Sequence, residues 1–197
     1  MISRTGANRN NAKTFTSFEL LPKGAYVIAL KAVKEEPNRN GRGTHLRIRF
    51  DIAEGEYKDF YKRQFEANTS EDPKWPNDAV YTMSVPDDAS PEWMLSQWDT
   101  FWTHVEDSNP GYIFDGDEKK IAGKVVGGLF HIEQSEYNGN IYDHTRLKWT
   151  RPAQDIRDGK YGRLPKDKLI EAKPAAPAID DSFIDIPDDA LDDGVPF

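Results

Sequence analysis

Two stretches of this chain set cationic side chains at every second position. Along 45–52, Leu46, Ile48, Phe50 and Ile52 alternate with His45, Arg47, Arg49 and Asp51, and burying the first set leaves two guanidinium groups side by side on an open surface. Along 141–149, Ile141, Asp143, Thr145, Leu147 and Trp149 alternate with Tyr142, His144, Arg146 and Lys148. Cations spaced along strands and interleaved with aromatic rings suit a polyanion that also carries flat groups, the charges meeting phosphates and the rings meeting bases. Lys31, Lys62 and Arg63 extend the set of phosphate candidates; Tyr57, Tyr61, Trp75, Tyr137 and Tyr142 are the stacking candidates. A core role for Tyr61 or Phe65, and simple loop packing for Trp75, are the competing readings.

Other chemistry has little to stand on. The histidines at 45, 104, 131 and 144 have no pair at a metal-ligand spacing, and the chain has no cysteine. Neither a phosphate-cradling glycine loop nor a serine in a nucleophile-elbow context is present. Carboxylates are abundant, but nothing in the sequence places two of them together as a hydrolase needs. The expectation is a non-enzymatic protein with no cofactor and no metal.

The elements that must position these side chains follow in order. The turn Pro22-Lys23-Gly24 leads to a central strand over 25–34, interrupted by Lys31. A glycine-rich connection over 35–44 carries Arg39 and Arg42, and the alternating strand over 45–52 follows it. After the turn Glu54-Gly55-Glu56, the sequence predicts a third strand over 57–65, with Tyr57, Tyr61 and Arg63 exposed. A long irregular loop over 67–91, punctuated by Pro73, Pro76, Pro86 and Pro91, comes next.

Ser90 as N-cap and Pro91 at the first helical position start a helix, in which Trp93 or Met94, Trp98, Phe101, Trp102 and Val105 recur at helical spacing up to Asn109-Pro110-Gly111. A fourth strand is predicted over 121–133, and Asn138-Gly139 is a type I′ hairpin signal leading into the fifth. Beyond Pro152 the chain reads as turn-like over 155–162, a short helix over 164–173, and an extended Pro-Ala linker. Three strands, a helix and a two-stranded hairpin are the order of an OB-fold, so the expected architecture is mainly β: a five-stranded Greek-key barrel with its aromatic helix between strands 3 and 4.

The net charge of −8 argues against nucleic acid only until its distribution is read. Residues 173–197 hold seven Asp against one Lys, so six of the eight net negative charges sit at the end of the chain. A block of like charge with little aliphatic surface is expected to be a disordered interaction tail. It closes on Asp192-Asp193-Gly194-Val195-Pro196-Phe197, where a terminal phenyl ring beside a carboxylate fits an apolar pocket rimmed by cations. An acidic solubilising tail that happens to end in Phe is the bland alternative.

This end resembles the acidic tip of phage and bacterial single-stranded-DNA-binding proteins. Asp192, Asp193, Pro196 and Phe197 match that tip, Val195 stands for the usual Ile or Leu, and Gly194 stands where another Asp is common. The body is similar to uncharacterised phage proteins placed near that family, through Leu20-Leu21-Pro22-Lys23-Gly24 and Phe50-Asp51-Ile52-Ala53-Glu54-Gly55-Glu56-Tyr57. What the resemblance implies is sequence-independent binding of single-stranded DNA and recruitment of replication, repair and recombination enzymes through the tip. Self-association into a homo-oligomer is compatible with it.

The expected organisation is a flexible arm over 1–14, an OB-like domain over 15–152, an extension and linker over 153–179, and the tail over 180–197. No long apolar run or signal-peptide core is present, so a cytoplasmic location is expected. A protein- or glycan-binding OB-like or β-sandwich module is the main rival reading.

Overall fold

The computed structural model describes residues 19–170; the N-terminal arm, the linker over 171–179 and the acidic tail with its tip lie outside the described residues. Five strands, β1 (Ala25–Pro37), β2 (Thr44–Ile52), β3 (Val80–Ser84), β4 (Val125–Tyr137) and β5 (Asn140–Arg151), form one antiparallel sheet in the order β3-β2-β1-β4-β5. Three helices accompany it, α1 (Phe60–Ala67), α2 (Glu92–Ser108) and α3 (Ala153–Arg157). No ladder joins the edge strands β3 and β5, so the sheet does not close into the expected barrel. Among the described residues, no helix is long and apolar enough to cross a membrane.

The alternation in 45–52 holds: Leu46, Ile48, Phe50 and Ile52 are buried, while Arg49 is exposed and Arg47 half-buried. Asp51 departs from it. Its side chain is fully buried, and its carboxylate accepts from three backbone N–H groups: Oδ1 from Ile52 (2.9 Å) and Tyr61 (3.0 Å), Oδ2 from Lys62 (3.1 Å). Tyr61 and Lys62 lie in the first turn of α1, where backbone N–H groups have no partner within the helix. Burial pushes the Asp51 carboxyl up from its ordinary value, and the hydrogen bonds from Tyr61, Ile52 and Lys62 pull against that shift.

This is why the predicted third strand is a helix. Asp59, at the helix entry, adopts a left-handed conformation (φ 56°), and its N–H donates to the Ile52 carbonyl at 2.9 Å, turning the chain back onto β2. Phe60 and Tyr61 then enter the core together. Tyr61 meets Phe50 edge-on at 5.8 Å and Phe60 at 5.2 Å. The true third strand lies inside the predicted long loop, where Tyr81 and Met83 are buried between exposed Thr82 and Ser84.

Helix α2 buries Phe101, Trp102 and Val105 as expected, with Trp102 stacked on Phe114 at 3.6 Å and Phe101 on Tyr81 at 5.9 Å. Trp93 falls outside that stripe and is 64% exposed. Pro91 occupies the N-cap position; the Ser90 hydroxyl bonds Asp87 instead of the helix. At the other end, the Asn109 amide donates to the Val105 and Val125 carbonyls, both at 2.7 Å, tying the helix to the start of β4. That strand begins later than predicted, because Ile121 ends a short 3-10 turn.

The hairpin between β4 and β5 is the predicted one, with Asn138 (φ 51°) and Gly139 (φ 76°) both left-handed as a type I′ turn requires. Its register shifts between Leu129 and Phe130, leaving Lys148 unpaired. Such a bulge exchanges the faces of the strand beyond it. Of the face that alternation gave to Ile141, Thr145, Leu147 and Trp149, Thr145 and Leu147 are buried, whereas Ile141 is exposed near the hairpin tip and, beyond the bulge, Thr150 is buried and Trp149 is turned outward. Beyond α3, the stretch predicted to be helical runs extended over 164–170, with Lys168 bridged to Glu133 of β4. Close approach of α3 to β4 requires Gly127, where a Cβ would collide with the Ile156 side chain of α3 and lie 2.8 Å from the carbonyl oxygen of Arg151 in β5.

Removing the Asp51 carboxylate leaves buried N–H groups without partners. Asp51→Ala is expected to cost about 2–4 kcal/mol in urea unfolding, and Asp51→Asn, which keeps an acceptor oxygen, clearly less. Equal stability of the alanine variant and the wild type would contradict this role.

Candidate nucleic-acid interface

The outer face of β1 and β2 carries the cations that the alternation singled out. Ladder partners share a face, so Lys34 lies opposite Arg47 and Ala32 opposite Arg49, with Thr82 and Val80 of β3 continuing the row. The segment between α1 and β3 folds across one end of this face. It encloses a cleft of about 560 Å³ lined by Lys34, Arg47, Arg49, Lys74 and Trp75, together with the carboxylates of Glu36 and Asp72. Trp75 is half-buried, tilted against Phe65 at 5.6 Å, so it packs the loop and walls the cleft at once. Its indole N–H is buried without a partner.

The electrostatics of this face are uneven. Glu36 lies 2.9 Å from Lys34 and 3.5 Å from Arg47, and Asp72 lies 4.0 Å from Lys74. The Lys34 ammonium, with Arg47 beside it, holds the Glu36 carboxyl below the usual carboxylate range. Arg49 has no acidic partner among the described residues. The connection between β1 and β2 adds exposed Arg39 and Arg42, held in a turn by the Asn38 side-chain amide, which donates to the Arg42 carbonyl at 2.7 Å.

Two predicted cations do something else. The Arg146 guanidinium donates to the Asn77 carbonyl at 2.8 Å and lies 3.3 Å from Asp78, while His144 Nδ1 lies 3.2 Å from the same Asp78 oxygen. Asn77 and Asp78 form the short 3-10 turn that leads into β3. Arg146 and His144 therefore bridge the two open edges of the sheet, and both side chains face Asp78 more than solvent.

The remaining candidates are dispersed. Tyr61 is 2% exposed and cannot stack on a ligand; burial pushes its hydroxyl well above the usual tyrosine range. Tyr57 is half-buried, packed edge-on against Tyr26 and Phe60. Tyr142 is exposed and lines a second cleft with Leu20, Lys74, Asn77 and His144, on the far side of the 74–78 segment from Arg49. Tyr137 stands 68% exposed at the hairpin tip. Lys31 is exposed at a bulge in β1, and Lys62 and Arg63 are exposed on α1, Lys62 lying 3.9 Å from Glu66. None of these three lines either cleft. Lys148 opens onto a third cleft, between α2 and β5.

Sequence reasoning missed Lys34 and Lys74. Lys34 was legible from parity once its strand was paired to Arg47, whereas Lys74 sits in a loop with no period to read. Among the described residues, no group of three or more His, Asp or Glu is gathered as a metal ion would require. Compared with known proteins, the chain matches no protein-family model and no curated protein significantly.

The bridge across the open edges makes a prediction of its own. In a double-mutant cycle of Arg146→Ala and Asp78→Ala, unfolding is expected to show a coupling of about 1 kcal/mol, because both side chains are largely shielded from solvent. Additive losses would mean that the contact contributes nothing.

Proposed function

We propose that this protein binds single-stranded DNA without sequence preference, protecting it during replication or recombination, and that its acidic tip recruits partner enzymes. The observation that carries the reading is the row formed by Lys34, Arg47 and Arg49 on one sheet face, walled by Trp75 and continued by the Arg39 and Arg42 loop. A strand laid along it has phosphates within reach of the cations, and its bases can meet Trp75 and, across the 74–78 segment, Tyr142. The strand order and the helix between β3 and β4 agree with an OB-like Greek-key topology, which supports the same reading although the edges stay apart. Chemistry is not required: neutralised phosphates and sequence-tolerant stacking supply the affinity.

Fluorescence anisotropy of labelled oligo-dT against duplex of equal length, at low and moderate salt, tests this directly. Tight, salt-sensitive, single-strand-selective binding is expected, with Arg49→Ala lowering the slope of log K against log salt by about 0.7, one phosphate contact on a single strand. Absence of single-strand binding at low salt, in the full chain and without its tail, would overturn the reading and favour a protein- or glycan-binding module.

The tail, by its charge, competes for the same basic face. Truncation after Pro174 is expected to tighten DNA binding at low salt; unchanged affinity would remove the tail from that competition.

A further inference from the structure

The third cleft, of about 500 Å³, lies where the sheet fails to close, between the N-terminal half of α2, the C-terminal half of β5 and the segment around Tyr161. Its lining differs in kind from that of the first cleft. Lys148, Arg151 and Arg163 contribute three cations, and no carboxylate lines it. None of the three has an ion-pair partner among the described residues. Trp93 and Trp149 flank these cations and are 64% and 38% exposed. The other indoles are engaged: Trp98 and Trp102 with each other at 5.6 Å and Trp75 with Phe65, whereas Trp93 and Trp149 make no ring contact among the described residues.

Trp93 and Trp149 line the same cleft, so their exposed apolar surface is gathered in one place, as at an interaction site, rather than scattered singly. The bulge at Lys148 turns Trp149 outward and brings both residues to the cleft mouth. Position matters as well. Val80 lines the first cleft and its neighbour Tyr81 lines this one, so only the short edge strand β3 separates them. A neutral sugar would leave the three lining cations without counter-charge, whereas a phosphate backbone supplies it.

We infer that this cleft is a second seat for single-stranded nucleic acid, in which bases stack on Trp93 and Trp149 while Lys148, Arg151 and Arg163 hold phosphates. The inference rests on the reading of the protein as a single-strand binder and lengthens the path of the strand: from the β1–β2 face it crosses β3 and continues along the open seam. Because stacking and phosphate contact are both indifferent to base identity, the seat adds length and affinity rather than sequence choice.

The test is oligo-dT titration of the full-length protein, followed by anisotropy and intrinsic tryptophan fluorescence, with Trp93→Ala, Trp149→Ala and Lys148→Ala variants. Trp93 is largely exposed, so its variant is expected to keep the wild-type melting temperature and circular dichroism even if the Trp149 variant does not. Trp93→Ala is expected to weaken binding by at least about fivefold, the loss of one stacked base, and to remove part of the fluorescence quench. Lys148→Ala is expected to lower the salt slope as Arg49→Ala does. In an iodouracil-substituted oligomer irradiated in the complex, cross-links are expected on the peptides carrying Trp93 or Trp149. Wild-type affinity and quench in a folded Trp93→Ala variant, with cross-links confined to the 74–78 segment and β2, would overturn the second seat while leaving the first reading intact. Failure of the wild-type protein to bind oligo-dT at all would overturn both.

Discussion

The buried carboxylate of Asp51 is the constraint on which the shape of this protein turns. A charged group sealed in a core is costly unless its lone pairs are filled, and here three backbone N–H groups fill them. In return it binds the entry of α1 to the last turn of β2, across ten residues of sequence. With α1 held there, Phe60 and Tyr61 complete the aromatic cluster around Phe50, and the chain leaves α1 on the side of β2. The segment over 68–79 must then cross the end of the sheet to start β3 at that edge. Trp75 beside Arg49 and Asp78 beside Arg146 both follow from this crossing.

An open five-stranded sheet carries two unpaired edges, which invite pairing with other chains. This protein protects them differently along their length. At one end, Arg146 and His144 converge on Asp78 and hold the edges near each other through side chains. At the other, the edges diverge and α2 underlies the gap, with Gln97 bonded to Tyr81 from below. Edge strand β3 is only five residues long, and the bulge at Lys148 interrupts β5. Both features blunt an edge, and the second also decides which side chains face the gap.

Charge is sorted by the same architecture. Glu36, Glu54, Asp78, Glu133 and Asp167 each face a cation at ion-pair distance, on the periphery or across the edges. Among the cations with no acidic partner in the described residues, Arg49 on the sheet face and Lys148, Arg151 and Arg163 along the seam lie on either side of β3. A chain of net negative charge thus sets unpaired cations on both sides of one edge strand, because field at a surface depends on where charges sit and not on their sum.

Much of this was legible from periodicity, which reports burial over a few neighbouring residues. The alternation in 45–52 identified Arg47 and Arg49 as outward, the stripe Phe101, Trp102 and Val105 identified the buried helix face, and Asn138-Gly139 identified the hairpin. Those signals are local, so the sequence by itself determined them. Tertiary structure alone decided the rest. Residues 57–65 have weak periodicity of either kind, and the distant Asp51 carboxylate, accepting from the Tyr61 and Lys62 N–H groups, favours helix from Phe60 onward. Val80 to Ser84 is too short to stand out in a proline-rich stretch until β2 pairs with it. Tyr61 looked like a stacking ring and is core; Arg146 and His144 looked like phosphate ligands and are bridges. Trp149, assigned inward by parity, faces solvent because one extra residue in a ladder reverses every face beyond it, and a register shift depends on the partner strand rather than on the residues that shift.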